Sequence, residues 1–389
     1  MGGPAVVVVG AGAIGLSAAL HAAELGASVL VIDKDRPASG SSGLSAGIFN
    51  RQAIDPLDVE IRVRAERFLT ALEREHGLPL VRAGYVRVAY TEEHLRSYQR
   101  SLAVERELGV DDARILSRQE LRRLVPDLAC DDLLGGLYGP SDGHLDGHLL
   151  CNALLERGAA RGVEYRFRAR LLGREKGSRR PHRLVTTGGE SECDVVVNAA
   201  GAWAPQVGQI LGAPAPVVSQ RHQVCIVRLA APLPYAMPTL QFYVPGAKSA
   251  ALYFRGEGPS QLLAGLHSHD ILDAGGEDPD AYRRHVDEDY AELVTWLLLE
   301  RLPALPDLRL AGGWAGLYPI SADGRPQIGP YRSMPSVVSA AGGGGVGLTL
   351  GLVYGQLAAE WAVLCEPRTV PGASVLVPDR PSLAEASVA

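Results

Sequence analysis

The sequence predicts an α/β fold in which a parallel sheet flanked by helices is interleaved with a second domain built on a mixed β-sheet. Three observations predict it. Continuous β-branched runs, the mark of strands buried on both faces, occur at the start (Ala5–Val9), in the middle (Asp194–Ala199) and near the end (Ser336–Ala341). A β-rich stretch fills Val217 to Gly265 between the last two. A glycine-punctuated turn, Gly10–Gly15, joins the first run to a helical segment.

The elements follow in order. Ala5–Val9 is a buried strand, Leu16–Leu25 a helix with small residues for close packing, and Ser28–Ile32 a second strand ending at Asp33. Pro37–Ser45 is a Gly/Ser-rich loop, Pro56–His76 a helix with an exposed face, and Leu80–Tyr90 strand-like. Glu92–Leu108 and Ser117–Leu124 read as surface helices, and Pro126–Gly143 as loop. Asp146–Arg161 is helical, while Val163–Leu172 and His182–Thr187 are strands of a small sheet. Gln223–Leu229, Leu240–Val244, Ala250–Arg255 and Gln261–Leu266 are strands, and Asp280–Leu302 a long helix. Ser336–Ala341 is the last buried strand, Gly342–Gly347 a glycine loop, Leu348–Leu364 a helix, and the Pro-rich tail after Pro367 is expected to fray. The order implies a discontinuous first domain (1–82, 144–216 and 310–389) and a second one (83–143 and 217–309).

At 389 residues the chain can bury a core in each. A formal net charge of −6 argues against nucleic acid or a membrane surface as partner. Cys130, Cys151, Cys193, Cys225 and Cys365 are scattered and form no CxxC, which points to reduced thiols, no metal site and a cytoplasmic location. The first apolar run lacks a charged flank and is too short to cross a bilayer, so no signal peptide is expected. The lysines are Lys34, Lys176 and Lys248, so lysine chemistry has three possible owners.

Gly10-Ala11-Gly12-Ala13-Ile14-Gly15 is GxGxxG between a strand and a helix, a Rossmann-type setting. The first glycine permits the turn, the second lets backbone approach a pyrophosphate, and the third lets helix and sheet pack; the helix N-terminus faces the negative charge. Asp33, ending the second strand, can accept hydrogen bonds from a ribose. This unit alone fits NAD as well as FAD. Two further strands, however, run into small residues: Asp194–Ala204 and Ser339–Gly347. A cofactor held by three separated stretches of backbone is better matched by FAD.

With those segments quoted, the chain resembles the D-amino-acid-oxidase-like flavoenzymes, the superfamily of glycine oxidase, sarcosine oxidase and dimethylglycine dehydrogenase. The resemblance rests on GAGAIGLSAALHAAELGASVLVIDKD, GSSGLSAG, VVNAAGAWA, and GLYPISADGRPQIGP followed by AAGGGGVGL. It implies oxidation of a small amino acid or N-alkyl amino acid to the imine by hydride transfer to the flavin N5, with oxygen or another electron acceptor as partner. It places Gly10, Ala11, Gly12, Ile14, Gly15, Asp33 and Lys34 at the ADP moiety, and Leu171 at the adenine. Ser41, Ser42, Ala46 and Gly47 fall beneath the pyrophosphate and flavin, and Ala199, Ala200, Gly201 and Trp203 form the second contact. Gly343, Gly344, Gly345, Val346, Gly347, Leu348 and Thr349 fall near the pyrimidine end of the flavin.

Departures from the family pattern refine this. Members with covalent flavin carry a Cys in the segment matching Ala315–Tyr318 or a His in the early loop; neither is present, so non-covalent FAD is expected. Tyr318 stands where glycine oxidase has a carboxylate-binding Arg, Thr349 where sarcosine-oxidase-like members have a Lys, and Leu263 where they have an oxygen-promoting Lys. Lys248 is then the remaining lysine for that role, and oxidase and dehydrogenase both stay open. Arg51 matches the sarcosine-type Arg and is the candidate for the substrate carboxylate, against the plainer reading of a surface Arg. His267 matches a substrate-facing His, with a structural role as the alternative; Tyr243, Tyr253 and Arg255 are packing or ligand residues of the same roof. Two other readings use the same fold: a 2-hydroxy-acid dehydrogenase with His267 or His222 as base, and a flavin-binding subunit of a larger amine oxidoreductase.

Overall fold

The computed structural model describes residues 3–242, 252–267, 276–305 and 307–386. The chain opens with β1 (Ala5–Val9), α1 (Ala13–Glu24) and β2 (Ser28–Ile32), then β3 (Ile48–Phe49) and α2 (Pro56–His76). Next come β4 (Leu80–Val81), β5 (Tyr85–Ala89), α3 (Glu92–Glu107), β6 (Arg114–Ser117), α4 (Arg118–Leu124), β7 (Gly135–Gly139) and β8 (Gly143–Leu145). The middle holds α5 (Gly147–Ala159), β9 (Glu164–Arg166), β10 (Leu171–Lys176), β11 (His182–Thr186), β12 (Gly189–Cys193), β13 (Val195–Asn198) and α6 (Ala204–Leu211). Then follow β14 (Val218–Arg228), β15 (Thr239–Gln241), β16 (Leu252–Gly256), β17 (Gln261–Leu266), α7 (Glu288–Arg301) and β18 (Arg309–Ile320). β19 (Gln327–Tyr331), β20 (Met334–Ala341), α8 (Gly351–Leu364) and α9 (Pro381–Ala386) end it.

The β-branched runs meet in one six-stranded sheet, ordered β19-β20-β13-β1-β2-β9 and parallel except for the β19–β20 pair. Apolar side chains on both faces force this burial. On one face α1 and α8 pack backbone to backbone. A Cβ at Gly351 would sit 2.9 Å from Ile14 Cγ1, and one at Gly355 2.4 Å from the Ile14 carbonyl oxygen. The alanines and glycines of these helices are what permit that approach.

The second layer is an eight-stranded mixed sheet, β18-β14-β17-β16-β15-β5-β7-β6, antiparallel except for β15–β5. β18 lies wholly in this sheet, across the 309/310 boundary drawn from sequence. The two layers are stitched directly: Ser41 Oγ donates to the Leu317 carbonyl at 2.6 Å, and Trp314 Nε1 to the Leu44 carbonyl at 2.7 Å.

Several expected elements are corrected. The helix expected over Asp280–Leu302 begins only at Glu288. Its first part is a turn followed by irregular backbone, because the Arg283 and His285 carbonyls accept from the Arg221 guanidinium and the Arg284 carbonyl accepts from Ala315 N–H. The stretch read as loop before Gly143 contains β7, whose glycines hide a strand paired on both sides. A Cβ at Gly136 would lie 2.7 Å from the Arg87 carbonyl, so the glycines serve close strand approach. As far as Leu383 the tail packs against the rest of the protein rather than fraying. Val370, Ala373 and Leu376 join the core, and the buried Arg380 guanidinium donates to Asp323 at 2.6 and 2.7 Å.

Candidate active site

One cleft of about 400 Å³ runs between the layers, within the range of ordinary ligand sites. Its walls are the ends of four parallel strands. Gly10–Ile14 after β1, Ala199–Trp203 after β13 and Ala341–Gly345 after β20 all line it, as do Asp33 and Lys34 at the end of β2. A cleft outside the C-terminal ends of parallel strands is the ligand position of this sheet type.

The glycines divide by job. Gly10 has φ +113°, and a Cβ there would strike the Ala199 carbonyl at 2.4 Å, so it allows two cleft segments to touch. Gly15 does not line the cleft; its missing Cβ, 1.9 Å from the Gly10 carbonyl, seats α1 on the turn. Gly12 differs, because a Cβ there would meet only Ser42 Oγ at 3.1 Å. The Gly12 position faces the cleft, where backbone is left bare for a ligand. Ser42 Oγ accepts from Ala13 N–H at 3.1 Å, fixing the early loop against the start of α1.

Asp33 is held in place by Ala11 N–H at 2.6 Å and Asp35 N–H at 2.7 Å. Burial raises its pKa, partly offset by those two donors. Ser41, Ser42, Ala46, Leu171, Ala199, Ala200, Gly201, Trp203, Gly343, Gly344, Gly345, Gly347 and Leu348 all line the cleft. Gly47, Val346 and Thr349 do not. Gly47 has φ +71° and sits against the Leu145 carbonyl, Val346 packs on the core, and Thr349 is buried. The helix expected from Leu348 starts only at Gly351, and the cleft is lined by the turn before it.

At the end beneath the mixed sheet, the wall changes to His222, Val224, Gly316, Leu317, Tyr318 and Leu44. Tyr318 stacks on His222 with ring centroids 3.8 Å apart and an interplanar angle of 18°. Below it lies Gly345, where a Cβ would come within 2.6 Å of the Tyr318 ring. Burial pushes the Tyr318 phenol up to about 12, so it stays protonated. His267 is 6.5 Å from the His222 ring and is not part of the cleft wall. His222 Nε2 lies 3.3 Å from Gln220 Oε1. Sequence placed His222 only as a base for the hydroxy-acid reading. The signal for its orientation was the alternation Gln220, His222, Val224 along β14, which needed the pairing with β18 to assign a face.

Arg51 lies apart from the cleft. Its Nε donates to Asp142 at 2.9 Å, and its Nη groups bridge Asp112 at 2.9 and 3.0 Å. Burial would lower its pKa, but the two carboxylates outweigh this and hold the guanidinium charged. It is buried, doubly paired and absent from the cleft wall. Arg255 is likewise buried, paired with Glu257 and outside the cleft wall, and its Nε donates to the Ala46 carbonyl at 3.0 Å. This sets the Tyr253–Arg255 face of β16 toward the early loop, which alternation alone left open. Tyr243 and Lys248 lie outside the described residues.

The residues present fit a flavin dinucleotide: bare glycine backbone at the turn, a seated carboxylate at the end of β2, and two further small-residue segments in the same cleft. This defines the class, a dinucleotide-dependent oxidoreductase with a separate pocket under a β-roof. The chain belongs to the FAD dependent oxidoreductase (DAO) family, whose model matches residues 5–361. It is 28% identical to glycine oxidase of Geobacillus kaustophilus over 370 residues, covering 91% of this chain and 92% of that protein. It is 26% identical over 373 residues to human mitochondrial sarcosine dehydrogenase; that match takes in 93% of this chain, which spans 40% of the relative. Among solved structures, L-proline dehydrogenase from P. horikoshii superposes with a TM-score of 0.83, at 22% identity and covering 96% of each chain, a likeness of fold. Within that family the chain is thus related to a glycine oxidase and a sarcosine dehydrogenase. Among the described residues no helix is long and apolar enough to cross a membrane.

Proposed function

We propose that the protein oxidises a small amino acid or N-alkyl amino acid to its imine, with FAD held non-covalently. The observation that carries this is the continuity of one cleft from the glycine turn to the His222–Tyr318 pocket. Gly10–Ile14, Asp33 and the Gly343–Gly345 turn would hold the cofactor, which when bound supplies the two-electron acceptor. The chain supplies positioning and exclusion of water. Leu44, Val224 and Leu317 present an apolar wall, and Tyr318 offers a neutral phenol as donor. His222 stands beside it to take the proton of an incoming ammonium group, with Gln220 Oε1 holding its Nε2. The names of the similar proteins, glycine oxidase and sarcosine dehydrogenase, support an amino-acid-like substrate.

His222 in the wall also suits a 2-hydroxy-acid dehydrogenase, which needs a base for the hydroxyl proton. One screen separates the two. Protein loaded with FAD is mixed anaerobically with amino, N-methyl and 2-hydroxy acids, and bleaching of the visible flavin band is followed. Bleaching by amino or N-methyl acids is expected; bleaching by hydroxy acids alone overturns the amine reading. Acid precipitation of the same sample should leave all yellow colour in the supernatant, and colour in the pellet overturns the non-covalent reading. Repeating the reduced sample with oxygen and with an artificial acceptor separates oxidase from dehydrogenase.

A further inference from the structure

At the Asp33 end of the cleft, a residue of the other layer reaches across. Lys34 and Trp203 both line the cleft, and Lys34 Nζ stands 3.8 Å over the Trp203 ring. Both are tied to Asp280: Lys34 Nζ by a salt bridge, and Trp203 Nε1 by a hydrogen bond of 3.0 Å to the same Oδ1. Arg170, a third residue of the cleft wall, brings Nη1 within 3.8 Å of Asp280 Oδ2. Asp280 itself does not line the cleft. It sits in a turn, closed by Ala281 N–H donating to the Asp278 carbonyl at 3.1 Å, in the irregular segment that precedes α7.

That segment is fastened to the mixed sheet on both sides of Asp280. Glu277 N–H donates to the Ser219 carbonyl at 2.8 Å. Further along, Arg221 binds the Arg283 carbonyl and Asp287, and Ala315 N–H takes the Arg284 carbonyl at 2.8 Å. The anchoring strands are β14 and β18, which carry His222 and Tyr318. The carboxylate is therefore presented by a backbone that cannot drift freely, and its partners come from three separate stretches of the cofactor layer, after β2, before β10 and after β13.

We infer that Asp280 is a cofactor-site residue supplied by the mixed-sheet layer, a clasp that holds Lys34, Trp203 and Arg170 over the adenosine half of the bound FAD. This rests on the FAD reading. The placement at the adenosine half follows from Asp33, the ribose acceptor, being the residue next to Lys34. Without Asp280, Lys34 keeps only its contact with the indole, the indole N–H loses its acceptor, and three like-charged or mobile groups lose a common centre. The side chain of Asp280 is about half exposed, 49%, so the effect is modest and screened by salt. Its lowered pKa, set first by the Lys34 contact, keeps the clasp ionised at neutral pH.

The test uses the full chain with Asp280→Ala, Asp280→Asn and Asp280→Glu. Apoprotein melting is measured first, then release of FAD on dilution by the rise in free-flavin fluorescence, and binding of ADP by calorimetry. Asp280→Ala and Asp280→Asn should release FAD about three- to tenfold faster than wild type, the scale of a few exposed charge contacts. ADP should weaken by a similar factor, apoprotein melting should not move, and Asp280→Glu should restore slow release. Added salt should speed release from wild type and leave Asp280→Ala unchanged. Wild-type release rates in Asp280→Ala overturn the clasp, as does a fall in apoprotein melting that accounts for the loss. A wild-type protein that takes up no FAD overturns the cofactor reading instead, so the two failures are distinct.

Discussion

Replacing Arg51 with Met separates a substrate anchor from a structural ion pair. The side chain is 8% exposed, Asp142 is 1% exposed, and Asp112 is 32% exposed. Removing one partner of a buried pair strands the other and costs about 3–5 kcal/mol. The pH dependence sharpens this. Burial already pushes the Asp142 carboxyl up to about 7 with Arg51 present to oppose it. A raised carboxyl pKa means that stability falls as pH climbs from the unfolded value to the folded one, then levels off. In wild type the loss from Asp142 ends near pH 7. Without Arg51 the folded value rises further, so the variant continues to lose stability above pH 7 by up to about 1.4 kcal/mol per pH unit. Urea denaturation at pH 6, 7 and 8 should thus show a deficit that widens with pH, and adding Asp142→Asn should recover much of it. Binding of benzoate to the FAD-loaded protein, followed by flavin absorbance, should change less than twofold. A variant as stable as wild type at all three pH values, with benzoate binding lost, would refute the structural role and return Arg51 to the substrate.

Glu105 is fully buried near the same cluster, and burial raises its pKa to about 7, with Asp142 adding to the rise. Glu105→Gln should therefore stabilise the protein by up to about 3 kcal/mol at pH 8 and by less than about 1 kcal/mol at pH 5, read from urea unfolding at the two pH values. Gly12→Ala should fold with a wild-type melting temperature but bind FAD more than about tenfold more weakly, because its methyl enters the cleft instead of the core. Gly355→Ala should do the reverse, losing about 1–3 kcal/mol from the α1–α8 contact by calorimetry. Arg380→Ala, which strands Asp323, should cost about 3–5 kcal/mol and make residues after Pro367 sensitive to protease.

Much of the cofactor layer was legible because its signals are local. A β-branched run, a glycine turn and a terminal acid specify β1, the turn and Asp33 within thirty residues, and the other two segments repeat the idea. The substrate end was less legible because its meaning is set by pairing. Whether His222 or Arg221 faces the cleft depends on the register with β18, and whether Arg51 is free depends on Asp112 and Asp142, some sixty and ninety residues away. Residue type and a match to the family's early Arg made Arg51 attractive, and the acids that pair with it gave no pattern near it. Asp280 was hidden for a related reason. It sits in a stretch with helical periodicity whose carbonyls are claimed by Arg221 and Ala315, a tertiary demand that overrides local preference.

The order of strands in the six-stranded sheet has a bearing on how the protein is made. β1 emerges first, yet its neighbour β13 begins at Val195 and β20, beside that, at Met334. The first glycine turn thus waits on a ribosome that has still to deliver most of the chain before its third cofactor-binding stretch exists. Such distant pairings are slow to close and leave strand edges bare meanwhile. If those stretches hold flavin, its uptake waits until Met334–Gly347 has been made, and growth short of flavin should first appear as aggregation of newly made chains rather than as an accumulating pool of folded apoprotein.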